Sequence, residues 1–224
     1  MDGFDRSRHH HRRREKAFVK DEFAYVLDYM PYGYVYDKHP QHKTQPVAQC
    51  LGSKYLVLLE VVPPRGSYLS IGDRIPISVA PDIPGYRVFD RLTYNDLSTT
   101  ARDNLPSVVE KIIVEKEKVF VEFFNIAQPI NIKFHSLELI PGIGKKTVAL
   151  ILEERQKKPF ESFDDIKGRV RIDPVKSLSS RIIQELQGNE KYYLFVEPYT
   201  RQPGITFFNY LEVLYERVGY KDPW

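Results

Sequence analysis

The sequence predicts an α+β protein: a small N-terminal β-barrel followed by a helical domain. Three observations lead there. Between Glu22 and Tyr94, short β-branched and aromatic runs are punctuated by Gly, Pro and Asp. From Asp96 onward, apolar residues recur near the 3.6-residue helical period. The 224 residues are 42% hydrophobic and 28% charged, the composition of a globular chain with material for one large or two small cores. No run approaches the ~18 uninterrupted apolar residues of a membrane span, so no membrane partner is expected. The single cysteine, Cys50, excludes an intramolecular disulfide framework and any thiolate-cluster metal site, and it fits a reducing cytoplasm.

The chain reads as five segments: a basic arm (1–20), the barrel (21–94), a helical connector (95–132), a helical motif domain (133–188) and a C-terminal strand and helix (189–224). The arm holds seven Lys/Arg against three Asp/Glu, leaving the other 204 residues at −1. It lacks the apolar core of a secretory signal and is expected to be disordered. Arg12, Arg13 and Arg14, with Arg6, Arg8 and Lys16, are suited to displacing counterions from a phosphate backbone. A solubilising tail is the alternative, and His9 to His11 offer at most a weak metal chelator.

Strands are expected at Phe23 to Tyr29, Tyr32 to Tyr36, Val47 to Leu51, Tyr55 to Val62, Arg74 to Val79 and Arg87 to Leu92. Pro63-Pro64-Arg65-Gly66 must be a turn, because proline cannot donate to a central ladder. Five or six such strands suggest an OB-type barrel. These barrels stack single-stranded bases on aromatics within a basic groove. Tyr32, Tyr34 and Tyr36 alternate at the strand period and so would share one face, with Lys43, Lys54, Arg65, Arg74, Arg87 and Arg91 supplying charge. The bland alternative is a half-buried sheet face. His39 and His42, in HPQH near Asp37, read as a surface loop rather than a metal site.

In the connector, Asp96 is a candidate N-cap for a short helix through Asn104, and Leu105-Pro106 marks a restart. From Ser107 to Asn125 an amphipathic helix places Val109, Ile112, Ile113, Phe120, Phe123 and Phe124 on one side. Gln128-Pro129 ends it.

Ser136 to Arg155, SLELIPGIGKKTVALILEER, carries the most chemistry. Ser136 can cap a short helix, Pro141-Gly142-Ile143-Gly144 makes a tight turn, and a second helix follows with Val148, Ile151 and Leu152 inward. Glycines there permit unusual backbone angles and let a ligand approach the amides. Amides at a helix N-terminus bind phosphate, and Lys145 and Lys146 add two full charges. A P-loop is disfavoured, because the residue five before Gly144 is Leu139 and Gly144 is followed by Lys-Lys-Thr147. A dinucleotide fold fails too, since position 147 is Thr and a helix precedes the turn. An αα-hairpin without a ligand is the structural alternative.

LIPGIGKKTVALIL resembles the helix-hairpin-helix motif of sequence-independent DNA- and RNA-binding proteins. The resemblance implies that the amides of Gly142, Ile143 and Gly144 contact phosphate oxygens, with Pro141 shaping the turn and Lys145, Lys146 and Thr147 reinforcing the grip. That family often carries the motif twice. Phe163 to Val170, then Arg171-Ile-Asp-Pro, then Val175 to Leu186 resembles a degraded second copy, with Arg169, Arg171 and Lys176 as flanking contacts at best.

The chain after the arm, ending in YYLFVEPYTRQPG, also resembles an archaeal family catalogued as domain of unknown function 655 and described as predicted RNA-binding proteins. The preference for RNA comes from this resemblance, because the motif reads phosphates rather than 2′-hydroxyls. Tyr192 to Val196 reads as a strand and Phe207 to Val218 as a helix. No nucleophile elbow, zinc-protease helix or catalytic cysteine setting is present. Asp164-Asp165 and Glu153-Glu154 read as ordinary helix surface. The expectation is therefore a non-catalytic binder of RNA or DNA with no cofactor and no metal. A nuclease or repair component and a protein-interaction scaffold are the alternatives.

Overall fold

The computed structural model describes residues 20–78 and 85–222; residues 1–19 of the basic arm, with Arg12, Arg13 and Arg14, and Val79 lie outside them. The chain divides into two compact units, one through Leu105 and one from Pro106.

The first unit is a closed five-stranded barrel of β1 (Phe23–Met30), β2 (Val47–Gly52), β3 (Leu58–Val62), β4 (Arg74–Ser78) and β5 (Tyr86–Arg91), in the order β1-β2-β3-β5-β4. Every pairing is antiparallel except β4 with β5. Alternate positions Ala24 and Val26, Ala48 and Cys50, and Leu59 and Val61 join Ile75 and Val88 in one buried cluster. The register sets Val26 opposite Cys50 and Cys50 opposite Leu59, so these side chains are cross-strand neighbours. Burial pushes the Cys50 thiol well above its ordinary pKa, which makes it an inert core residue.

The expected strand at Tyr32 to Tyr36 does not form, and that segment is a turn-rich loop. Gly33 has φ +91°, and a Cβ there would lie 2.5 Å from the Lys43 carbonyl carbon. The loop therefore doubles back onto the 3-10 turn Pro40–Lys43, where the Tyr34 amide donates to the His42 carbonyl at 2.8 Å. The three tyrosines share no strand face.

Helix α1 (Thr99–Glu115) runs unbroken through Pro106, so the expected restart is absent. Its N-cap is Ser98, whose Oγ accepts from the Ala101 amide at 3.0 Å and donates to Asp28 at 2.6 Å. The Asp96 carboxylate is already engaged, closing the preceding 3-10 turn by accepting from the Thr93 amide at 2.7 Å. The long amphipathic helix is in fact two, because the chain breaks at Lys116 before α2 (Glu117–Ile126). Lys116 is buried; its Nζ donates to the Tyr215 hydroxyl at 3.2 Å and stands 4.9 Å from the Tyr220 ring centre.

The second unit continues with a ribbon of β6 (Pro129–Asn131) and β7 (Phe134–His135), then α3 (Lys145–Lys157), α4 (Phe163–Val170) and α5 (Pro174–Gln187). A parallel pair, β8 (Tyr192–Tyr193) and β9 (Thr206–Phe207), and α6 (Tyr210–Val218) complete it. Phe120, Phe123, Phe124 and Phe195 are fully buried here, with Phe123 and Phe195 edge-to-face at 4.9 Å.

The strand expected over Tyr192 to Val196 stops at Tyr193 because the next amides have another acceptor. Glu185 of α5, buried, accepts from the amides of Leu194, Phe195 and Val196 at 2.7, 2.9 and 2.8 Å and from Arg181 Nε at 2.8 Å. One carboxylate thus replaces a strand partner. Among the described residues no helix is long and apolar enough to cross a membrane.

Candidate nucleic-acid interface

The segment from His135 to Lys157 forms a 3-10 turn (Ser136–Leu139), a tight turn at Pro141 to Gly144, and α3. His135, not Ser136, caps the first turn: its ring accepts from the Leu137 amide at 3.1 Å, and Glu138 accepts from the His135 amide at 2.8 Å. Leu137, Ile140, Ile143, Val148 and Ile151 are buried beneath the turn, whereas Leu152 is half-buried. Arg155, on the next turn of α3, donates to the carbonyls of Phe124 and Ala127 at 3.1 and 3.0 Å. It thereby satisfies the open C-terminus of α2 and fixes α3 against it.

The two glycines differ. Gly142 has φ +85°, a left-handed conformation that a side chain would strain. Gly144 has φ −94° and ψ 178°, which any residue adopts, and a Cβ there would meet nothing within 4 Å. Its expected backbone role is thus absent, and neither conformation nor internal packing demands glycine at that position. Gly144 is nonetheless the N-cap of α3, where it supplies no capping side chain. The amides of Lys145, Lys146 and Thr147 have no internal partner among the described residues. Lys145 and Lys146 are exposed and form no ion pair among the described residues.

The second helix-turn-helix segment is α4, the turn Arg171 to Asp173, and α5. Both helices are capped: Ser162 Oγ accepts from the Asp165 amide at 3.0 Å, and Asp173 accepts from the Lys176 amide at 3.2 Å. Arg171 takes the left-handed C-cap of α4, at φ 61°, and is exposed, as is Lys176. Arg169 is committed internally. Its guanidinium bonds Glu154 at 3.0 Å, Asp165 at 3.1 Å and the Lys158 carbonyl at 2.8 Å, and it stacks over Phe160. A Cβ on Gly142 would approach Ser177 Oγ at 3.8 Å, so the first turn lies against the N-terminal turn of α5. Glu153 and Glu154 pair with Lys157 at 2.7 and 2.8 Å, and so form no carboxylate cluster with Asp164-Asp165.

In the barrel unit, Tyr32 and Tyr36 are 89% and 86% exposed, although the sequence left a half-buried face open. Tyr34, half-buried, meets Tyr36 edge-on at 5.9 Å. Both line a cleft of about 160 Å³ with Asp37, Lys38, Gln49 and Arg102. Of the expected barrel cations, Arg74 covers the Phe23 ring at 3.8 Å and Lys54 lies over Tyr55, while Lys43, Arg65 and Arg87 are exposed. The HPQH segment is a surface 3-10 turn, with Pro40 and Gln41 exposed, whose histidines point inward. His42 is buried, and both imidazoles pack against Phe89 with Asp37 and Glu60 beside them. Sequence reasoning missed Glu60, Phe89 and Asp90 here, because they come from β3 and β5, far along the chain from the histidines.

The chain is 36% identical over 187 residues to the uncharacterized protein MJ0038 of Methanocaldococcus jannaschii, covering 83% of this chain and 84% of that one. It is similar to the crystal structure of Af1531 from Archaeoglobus fulgidus, at a TM-score of 0.71 and 43% identity over 79% of this chain and all of that one. Residues 20–197 match the family described as "Protein of unknown function (DUF655)". With most of its length matched and archaeal relatives on both comparisons, the chain belongs to the DUF655 family.

Proposed function

We propose that this protein is a non-catalytic nucleic-acid binder that holds backbone phosphates at the N-terminus of α3 through a helix-hairpin-helix. The observation that carries the reading is the Gly144 cap. A position with no conformational or packing need for glycine leaves three helix amides open beside two unpaired lysines. Partial positive charge, oriented N–H donors and full charges then coincide at one exposed point. Phosphates are common to every sequence, so the contact positions a strand without reading it. RNA is the expected ligand, and the exposed Tyr32 and Tyr36 on an OB-like barrel are suited to stacking unpaired bases.

Gly144→Val tests this. The extended backbone at 144 accepts valine and its Cβ enters open space, so the variant should fold, its thermal midpoint lowered by about 2–4 °C because valine is a poorer N-cap than glycine. Anisotropy with single- and double-stranded RNA and DNA probes should show at least tenfold weaker binding to all of them. Equal affinity in a folded variant would reduce the turn to a structural corner.

A further inference from the structure

Asp37, His39 and His42 of the doubled-back loop converge with Glu60 of β3, one ligand atom from each lying within 4.8 Å of every other. His39 Nδ1 is 3.3 Å from Asp37 Oδ1 and 2.9 Å from Glu60 Oε2. His42 Nδ1 lies against Glu60 Oε1 and 3.6 Å from Asp37 Oδ2. The Glu60 side chain is 2% exposed and that of Asp37 6%.

Hydrogen bonding inside the protein leaves this cluster incomplete. Glu60 Oε2 and His39 Nδ1 are both buried and, though they face each other at 2.9 Å, form no well-aligned hydrogen bond; Glu60 and Asp37 lie close enough to share a proton. His39 Nε2 lies 3.3 Å from Asp90 Oδ2; with the ring proton on that side, the Nδ1 lone pair turns inward. An inward lone pair facing two carboxylates is repulsive unless a positive centre lies between them. Two carboxylates buried this closely need either a shared proton or a counter-charge. Phe89 supplies an apolar wall, its ring 4.7 and 4.2 Å from the two imidazoles.

We propose that Asp37, His39, His42 and Glu60 bind one divalent first-row transition-metal ion, with zinc the first choice. Two imidazole nitrogens and two carboxylate oxygens make a donor set such ions accept, and four protein ligands would close a structural site. In a tetrahedral site with bonds of about 2.0–2.2 Å the ligand atoms stand ~3.4 Å apart, so any pair near the 4.8 Å limit must draw in by about 1 Å as the loop closes on the ion. The ion would fasten the loop carrying Tyr34 and Tyr36 to β3.

The experiment uses the full chain with His9, His10 and His11 replaced by Ala, so that the arm supplies no competing imidazoles. After chelator treatment and desalting, the chain is incubated with Zn²⁺ and, in parallel, with Co²⁺. Expected are one equivalent of zinc per chain by elemental analysis, visible cobalt absorption of a four-coordinate site, and a thermal midpoint raised by roughly 5 °C or more at hundredfold excess over Kd. His42→Asn and Glu60→Gln should abolish all three. His39→Gln and Asp37→Asn, at less deeply buried positions, should lose at least tenfold in affinity while remaining folded, and they decide the matter if the inner variants fail to fold. No bound metal in folded protein, or retention unaltered by His39→Gln and Asp37→Asn, would overturn the proposal and leave the cluster a proton-sharing hydrogen-bond network.

Discussion

The N-termini of α3 and α5 each follow a tight turn, and the Gly142 turn packs beside Ser177 at the start of α5. They use their open amides in opposite ways. Asp173 caps α5 with a carboxylate that occupies an amide and presents negative charge. Gly144 leaves the α3 amides to solvent or ligand and is followed by two lysines. A side chain that satisfies these donors competes with any phosphate for them, so one helix start can serve stability or binding but not both fully. The second segment also anchors the fold from its far end, where Glu185 and Arg181 hold the chain beyond α5.

The largest expected effect lies there. Glu185→Ala leaves buried Arg181 with Glu190 as its remaining carboxylate and three backbone amides without their acceptor, and should cost about 3–5 kcal/mol in urea unfolding. A loss below ~1 kcal/mol would show that α5 does not bear this structural load.

Gly144→Asp, which transplants the cap of the second segment into the first, should separate stability from affinity. The carboxylate can satisfy an α3 amide and favour the helix dipole, raising stability by a few tenths of a kcal/mol to ~1 kcal/mol. Binding to every nucleic-acid probe should fall more than tenfold. Affinity unchanged by a negative charge at that point would end the comparison.

Asp173→Ala is the reciprocal change. It should lower stability by roughly 0.5–2 kcal/mol and leave anisotropy titrations at wild-type affinity. Weakened binding in the folded variant would assign the second segment a direct role.

The gentlest change replaces Lys145 and Lys146 by Gln. The fold should be untouched, and the slope of log K against log salt should flatten by about 0.7–0.9 for each phosphate that a lysine no longer neutralises. An unchanged slope would mean that neither lysine reaches a phosphate.

How far the sequence could be read depended on how local each signal was. Strands β1, β2 and β4, and the turn between Ile140 and Lys145, were legible because alternation, proline and glycine act within a few residues. Tyr32 to Tyr36 misled because period-two alternation carries no record that Gly33 must approach the Lys43 backbone. The Tyr192 run was read too long for a related reason: its amides are taken by Glu185, nine to eleven residues away and on another element. Arg169 shows the same limit: its charge marks it as a candidate phosphate contact, and only the structure shows its donors engaged by Glu154, Asp165 and the Lys158 carbonyl.

By itself the sequence determined a β-rich unit ahead of a helical one, the Gly-Ile-Gly turn with its lysines, and the burial of the phenylalanine stripe on α2, all set by periodicity and backbone chemistry within a few neighbours. Only the tertiary structure decided which glycine the backbone requires and which it does not. It likewise decided that α1 continues past Pro106, and that two histidines three residues apart meet Glu60 and Asp90. Those outcomes turn on barrel closure and helix packing, which bring together groups 18 to 51 positions apart along the chain, a separation at which no local pattern reports.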